Sequence, residues 1–244
     1  MRYAIISDIH ANSEALITVQ RALNRLDVDK IICLGDVVGY NADPNFCVKR
    51  VCNLADVLIR GNHDKAVAGL INFSNFNYSA SSAIRWTQDN MQFSMLQNLK
   101  KLKAGPAIVD RYFLACHGAP EDEDSYILNS RDALKSIYYI KENFPAVRIC
   151  FYGHTHVPAL WNEQGRLLPL AKSMVLEKNK LYLINPGSVG QPRDNDPRTS
   201  FCVFDADSWN YEYYRISYPI SETQAKIIRQ GIAPVLARRL ALGQ

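Results

Sequence analysis

Hydrophobic and polar positions along this chain follow two rhythms, and the first half switches between them at short intervals. "RYAIIS" at residues 2–7, "KIICL" at 30–34 and "DVLIR" at 56–60 are short apolar runs, which predicts strands. Between the first two, Ala15, Leu16, Val19, Ala22, Leu23 and Leu26 fall on one face of a helix, and "DPNFCVKRVCNL" at 43–54 reads as a second helix. Strands apolar throughout and separated by helices predict a buried sheet covered by those helices. From Ala66 to Lys103 the pattern is mixed, and a helical segment is expected. Its polar and aromatic stretch from Asn72 to Tyr78 is assigned to helix surface and packing, in preference to the wall of a base or sugar pocket.

The second half reads as strands: "RYFLACHG", "VRICFYGH", "KSMVLE", "KLYLINPG", "SFCVFDAD" and "WNYEYYRISY", with Asp205 to Asn210 as the turn between the last two. The close predicts two short helices broken at Gly231, with Pro234 in the first turn of the second and Gly243 beyond its end. No repeat or low-complexity linker interrupts the chain, so residues 1–244 are expected to form a single domain.

Composition narrows the class. With 48% hydrophobic and 21% charged residues, the chain suits a globular protein with a full core. No stretch approaches the roughly 20 apolar residues of a membrane span, so a cytoplasmic protein without membrane partners is expected. The net charge of +4 comes from scattered side chains, which indicates no specific nucleic-acid binding, and oligomeric state is left open. Cys33, Cys116, Cys150 and Cys202 lie inside apolar runs and read as buried free thiols, not disulfides.

The candidate chemistry sits at the strand ends. "IIS" precedes Asp8-Ile9-His10, "IICL" precedes Gly35-Asp36, "VLIR" precedes Gly61-Asn62-His63-Asp64, "FLAC" precedes His117-Gly118, and "CFY" precedes Gly153-His154-Thr155-His156. Functional groups gather at the carboxyl ends of strands in open sheets, so five motifs imply one site. A set of carboxylates, an asparagine and imidazoles without thiolate suits Mn, Fe, Zn or Ni better than Ca or Mg. Seven ligands exceed one tetrahedral site and suffice for two metals roughly 3.5 to 4 Å apart, provided one carboxylate bridges. Asp36 is the natural bridge, because its strand is expected between the other two N-terminal ones. In "GHTH", a continuing strand would send His154 and His156 to opposite faces; Gly153 is expected to let a turn aim them instead.

The succession "SDIHAN", "GDVVGY", "RGNHD", "ACHG", "GHTH" resembles the calcineurin-like metallophosphoesterase superfamily. "NPGSVGQPRDNDPRTSF" is similar to its small bacterial and archaeal predicted phosphoesterases, and the likeness runs from residue 2 to about 205, with the tail "GIAPVLARRLALG" also alike. The resemblance implies a four-layer αββα sandwich with two mixed β-sheets flanked by helices, and a dinuclear centre. Asp8, His10 and His156 would hold the first metal, Asn62, His117 and His154 the second, and Asp36 would bridge them. His63 would lie outside the metal shell, near the substrate phosphate. "GYNADP" departs from the common "GYGPDP", which touches only the rim near Tyr40 and Asn41.

The expected activity is a metal-dependent hydrolysis of a phosphodiester or a small phosphorylated metabolite. Two divalent ions, manganese first and iron, zinc or nickel as alternatives, would hold the attacking hydroxide between them. His63 would stabilise phosphoryl oxygens or protonate the leaving alcohol, with Asp64 accepting its ring N–H or capping the following helix. Arg193 is expected to clamp the phosphate. Asn12 is counted with Arg193 among the substrate contacts, supporting the first-metal loop or, in preference, capping the following helix. The alternatives are a protein phosphatase or dinucleoside polyphosphate hydrolase on the same centre, and a non-catalytic interaction scaffold; the full ligand set argues against the scaffold.

Overall fold

A computed structural model describes residues 1–244. The N-terminal alternation forms β1 (Arg2–Ile6), α1 (Ser13–Leu23), β2 (Lys30–Cys33), α2 (Pro44–Leu54) and β3 (Val57–Leu58). Then come α3 (Asn62–Val67), α4 (Tyr78–Asn90), α5 (Phe93–Lys100), β4 (Ala107–Val109), β5 (Phe113–Ala115) and α6 (Ser130–Asn143). The remainder is β6 (Ile149–Phe151), β7 (Ala159–Asn162), β8 (Ser173–Val175), β9 (Tyr182–Asn185), β10 (Thr199–Asp205), β11 (Asn210–Ile216), α7 (Ile220–Arg229) and α8 (Pro234–Leu242).

Two mixed sheets result, in the orders β3-β2-β1-β10-β11-β8 and β4-β5-β6-β9-β7. β2 lies between β1 and β3, the order expected for the Asp36 strand, and both pairings are parallel. Strand alternation then builds the layers. Tyr3 and Ile5 of β1 meet Phe113, Phe151 and Ile184 in a core between the sheets. Ala4 and Ile6 point the other way, into a core closed by Leu16 and Val19 of α1 and Val48 and Val51 of α2. On the far sheet, Leu114, Cys150 and Leu183 face Ala133, Ile137 and Ile140 of α6. This is the four-layer helix-sheet-sheet-helix arrangement with two mixed sheets that the resemblance implied.

Three local expectations need correction. Residues 130–143, left unassigned above, form α6, and its signal was present: Asn129 caps the Arg131 and Asp132 amides, and Ala133, Ile137 and Ile140 recur on one face. The helical segment expected between Ala66 and Lys103 is present as α4 and α5, but it starts late, since α3 stops at Val67 and non-helical chain runs to Asn77, which caps α4 through the Ala80 amide. β4 and β7 are antiparallel edge strands too short to stand out in sequence. The C-terminal reading holds: Pro234 opens α8, and Gly243 ends it in the left-handed region at φ 66°. Both helices pack through Ile227, Leu236 and Leu240 toward Tyr40, Ala80 and Ala83. No helix is long and apolar enough to cross a membrane. All four cysteines named above are buried and free.

Candidate metal centre

Three of the motifs follow β1, β2 and β3 of one sheet and two follow β5 and β6 of the other, and the loops after β1 and β2 run side by side. The amides of Asp8, His10 and Ala11 donate to the carbonyls of Gly35, Asp36 and Val37. Five of the seven expected ligands hold positive φ: Asp8 (54°), His10 (47°), Asp36 (51°), His154 (67°) and His156 (60°). Such backbone costs of order 1–3 kcal/mol per residue and persists only where the surroundings over-determine it. Here the surroundings are the loop 185–191. Asn185 donates to the Gly153 carbonyl and the Thr155 hydroxyl, while Ser188 donates to the Asp8 carbonyl. Sequence reasoning gave these residues no role; the Asn-Pro-Gly-Ser run after a strand was the available signal.

Gly153 works differently from expectation. The histidines themselves take the left-handed backbone, and glycine is needed because a Cβ there would stand 2.0 Å from Ser7 Oγ and 2.8 Å from Asp8 Oδ2. Gly61 has the same reason, since its added Cβ would lie 2.0 Å from Asp36 Oδ1.

Two donor groups share Asp36: Asp8, His10, Asp36 and His156 in one, and Asp36, His117 and His154 in the other, all buried. The imidazoles are oriented by backbone carbonyls. Nδ1 of His10, His117 and His156 contacts the carbonyls of Val38 (3.0 Å), Leu34 (2.9 Å) and Gln191 (2.6 Å). A carbonyl only accepts, so each Nδ1 carries the proton and Nε2 turns a lone pair inward. His154 is reversed: Nε2 donates to the Asp124 carbonyl at 3.1 Å, leaving Nδ1 free. Asn62 brings its Oδ1 to 3.1 Å from His117 Nε2.

A cation fits this donor set on structural grounds. His10 Nε2 and His156 Nε2 stand 3.0 Å apart although both Nδ1 protons are engaged elsewhere. Asp36 Oδ2 is buried without a hydrogen-bond partner, 3.5 Å from His10 Nε2 and 3.4 Å from His117 Nε2. Converging lone pairs around an unpaired carboxylate oxygen repel one another unless a positive charge lies among them. In the protein alone that charge is a proton. Burial disfavours a charged His117, but the Asp36 carboxylate prevails and raises its pKa to about 9. Burial likewise opposes ionisation of Asp36, yet His117 and His63 hold its carboxyl well below the usual range. Burial pushes Asp8 up to about 6 and lowers His154 to about 3, keeping that imidazole neutral.

The other expected site residues divide. His63 is buried beside the centre, its ring against His10 (4.8 Å between centroids) and Tyr40 (4.5 Å), with Nδ1 lacking a partner. Asp64 does not touch that ring. Its carboxylate accepts the amides of Val37 (2.9 Å), Val38 (3.2 Å) and Gly61 (3.0 Å), so the capping reading stands and the catalytic one is corrected. For Asn12 the cap reading holds and the substrate contact is corrected: fully buried, it caps α1 at Ala15 and donates to Gly190 and Tyr218, leaving nothing for a substrate. Arg193 reaches the site, donating to Tyr40 Oη at 3.1 Å and Gln191 Oε1 at 3.0 Å. Of the departure "GYNADP", Tyr40 lines the cleft, whereas Asn41 is buried beneath it and donates to the His10 carbonyl.

A cavity of about 440 Å³ opens over Asn62, His63, His154 and Arg193 and continues along Asn72, Asn75 and Phe76. Asn72, Asn75, Phe76 and Asn77 of the stretch assigned above to helix surface therefore line the cleft, while Ser74 and Tyr78 turn to solvent away from it.

The calcineurin-like phosphoesterase superfamily domain, as a family model, matches residues 1–208. An uncharacterized protein of Methanocaldococcus jannaschii is 36% identical over 246 residues, covering 99% of this chain and 98% of its own length. The crystal structure of a metallophosphoesterase from Sphaerobacter thermophilus is 38% identical and superposes with a TM-score of 0.85 over 100% of this chain and 99% of its own. A hypothetical protein from Pyrococcus horikoshii shares the fold at 16% identity, with a TM-score of 0.79 over 100% and 98% of the two chains.

Proposed function

The chain belongs to the calcineurin-like phosphoesterase superfamily, and from that premise we propose that it hydrolyses a phosphodiester or a small phosphorylated metabolite at a two-metal centre. Its class is that of the phosphoesterase hydrolases, which use divalent metals. The observation that carries the reading is the unpaired Asp36 Oδ2 faced by His10 and His117 Nε2, with a donor group on either side. Asp8, His10 and His156 would hold one ion, Asn62, His117 and His154 the other, and Asp36 both. When bound, such ions supply Lewis acidity toward phosphoryl oxygens and a nucleophile at neutral pH. Manganese is the first choice for a mixed carboxylate and imidazole set.

The residues of the chain contribute orientation and charge. The carbonyls of Val38, Leu34, Gln191 and Asp124 hold each ligand ring in one tautomer. Arg193, kept aimed by Tyr40 and Gln191, offers a fixed fork to a phosphoryl group. His63 acts as a neutral hydrogen-bond donor, not as an acid. Burial lowers its pKa to about 4, and the carboxylate that would have raised it is spent on backbone amides. His63→Ala is expected to lower kcat by about 10²-fold, the usual cost of one preorganised donor. His63→Gln, which still donates, recovers part of the loss. A variant whose kcat–pH profile loses a limb near neutrality would instead identify His63 as the acid.

The test is an assay of manganese-loaded protein on bis(p-nitrophenyl) phosphate and p-nitrophenyl phosphate, with metal content measured on the same sample. Turnover of at least one ester and two ions per chain are expected. One ion per chain at full activity overturns the two-metal part, and no turnover with Mn, Fe, Zn or Ni overturns the substrate class.

A further inference from the structure

We propose that the cavity beside the metal centre is a nucleobase subsite, so that the ester hydrolysed is that of a nucleoside phosphate; this rests on the phosphoesterase reading above. The cavity is too large for a phosphoryl group alone. Its volume of about 440 Å³ falls within the ~300–1,000 Å³ of small-molecule sites, and it is continuous from Asn62, His63 and His154 to the segment before α4. A ligand whose phosphate meets the metal-centre residues therefore extends its remainder toward Phe76 and Tyr126.

Those two rings are anchored on histidines of the centre. Tyr126 stacks on His154 with centroids 3.9 Å apart and planes 20° apart, and Phe76 meets His63 in a T-shaped pair with centroids 5.3 Å apart. An aromatic surface thus stands at a fixed offset from the reacting phosphorus. Tyr126 remains 47% exposed, which leaves ring surface for a ligand. Stacking of a base on an aromatic side chain contributes about 1–3 kcal/mol, or about 5- to 150-fold in affinity.

Three carboxamides surround this surface. The Oδ1 atoms of Asn72 and Asn77 accept from the Ser74 and Ala80 amides, which leaves their NH2 groups as donors, and Asn75 adds an exposed carboxamide. Uncharged amide donors, with the acceptor of Asn75 beside them, match the edge of a heterocycle.

Charge separates this ligand from its competitors. Arg193 is the sole Lys or Arg in the lining, and it lies at the phosphate end. The single lining carboxylate, Asp124, is held by Lys65 Nζ at 2.6 Å. A dinucleoside polyphosphate would bring further phosphates to a wall without cations, whereas one phosphate joined to a neutral base leaves no charge unmet.

The experiment titrates manganese-loaded protein with two hydrolysis-resistant phosphonates, in which a methylene replaces the ester oxygen. One is the analogue of adenosine 5′-phosphate, the other that of ribose 5-phosphate. The adenosine compound is expected to bind at least tenfold more tightly. Phe76→Ala should cut that ratio severalfold, and so should Asn75→Ala, whose exposed side chain covers the case of a poorly folded Phe76 variant. Equal affinity of the two phosphonates, or a ratio unchanged in a folded variant, overturns the subsite. So does tighter binding of a dinucleoside tetraphosphate phosphonate than of the mononucleotide one. Turnover of bis(p-nitrophenyl) phosphate by the same sample distinguishes failure of the subsite from failure of the phosphoesterase reading.

Discussion

Asp36→Asn is expected to lower kcat/KM on a generic phosphodiester by at least about 10³-fold while leaving the fold intact. Removing the shared carboxylate takes away several kcal/mol of support for transition-state charge, and each 1.36 kcal/mol is tenfold in rate. The geometry also fixes which way the amide sits. Oδ1 accepts the His63 backbone N–H at 2.8 Å, so an amide oxygen must occupy that position and the NH2 must replace Oδ2. There it faces the Nε2 atoms of His10 and His117, 3.5 and 3.4 Å from Oδ2; with the carboxylate that raises its pKa gone, His117 gives up its inward proton, and both lone pairs can accept from the NH2. The metal-free variant is therefore expected to melt no lower than metal-free wild type. Activity, metal content and melting on one preparation check this. A lost activity accompanied by a large drop in Tm would assign the effect to unfolding and count against a ligand role.

Removing the metal from wild-type protein is the second large effect. Dialysis against a chelator is expected to abolish turnover and lower Tm by about 8–16 °C, with both restored by added Mn. The magnitude follows from linkage: saturation at 1,000 times Kd stabilises by about 4.1 kcal/mol, and each kcal/mol moves Tm by about 2–4 °C at this chain length. The pH dependence has a definite sign. Metal ligation needs Asp8 ionised and His117 without its inward proton, whereas in the metal-free fold they titrate near 6 and 9. Affinity should therefore rise with pH through 6 and on toward 9. Near pH 7.5 binding should release about one proton per chain, chiefly from His117. For the metal-free fold, a raised Asp8 pKa means that its contribution to stability is present below the unfolded value and lost as pH rises through 6. Metal thus offsets most where the empty fold is penalised most. Titration in a weakly buffered solution reads the proton release, and affinity that falls from pH 6 to 8 would contradict these assignments.

The first three strands, the central place of the second and the convergence of five motifs were legible because each rests on local pattern: short apolar runs, a 3.6-residue helical face and ligand-type residues at strand ends. α6 was equally legible through Asn129, Ala133, Ile137 and Ile140, and only the strand-rich surroundings hid it. Asp64 misled because proximity in sequence to His63 says nothing of direction. On the first turn of α3 its carboxylate turns back to Gly61 and across to Val37 and Val38. The stretch from Asn72 to Asn77 misled for a related reason: its composition suits a surface, and only packing over the centre makes that surface a wall.

By itself, then, the sequence determined which side chains gather, because strand order and the chemistry of strand ends are written in short-range pattern. Tertiary structure alone decided how they point. The left-handed backbone of His154 and His156 is imposed by loop 185–191, the tautomer of each ring by a carbonyl from a distant loop, and the unpaired lone pairs on Asp36 by their joint burial. In "GHTH" the two histidines differ by which ring nitrogen a carbonyl occupies, so His154 offers Nδ1 and His156 offers Nε2. Hydrogen bonds between segments far apart in the chain set that difference, and no spacing within four residues encodes it.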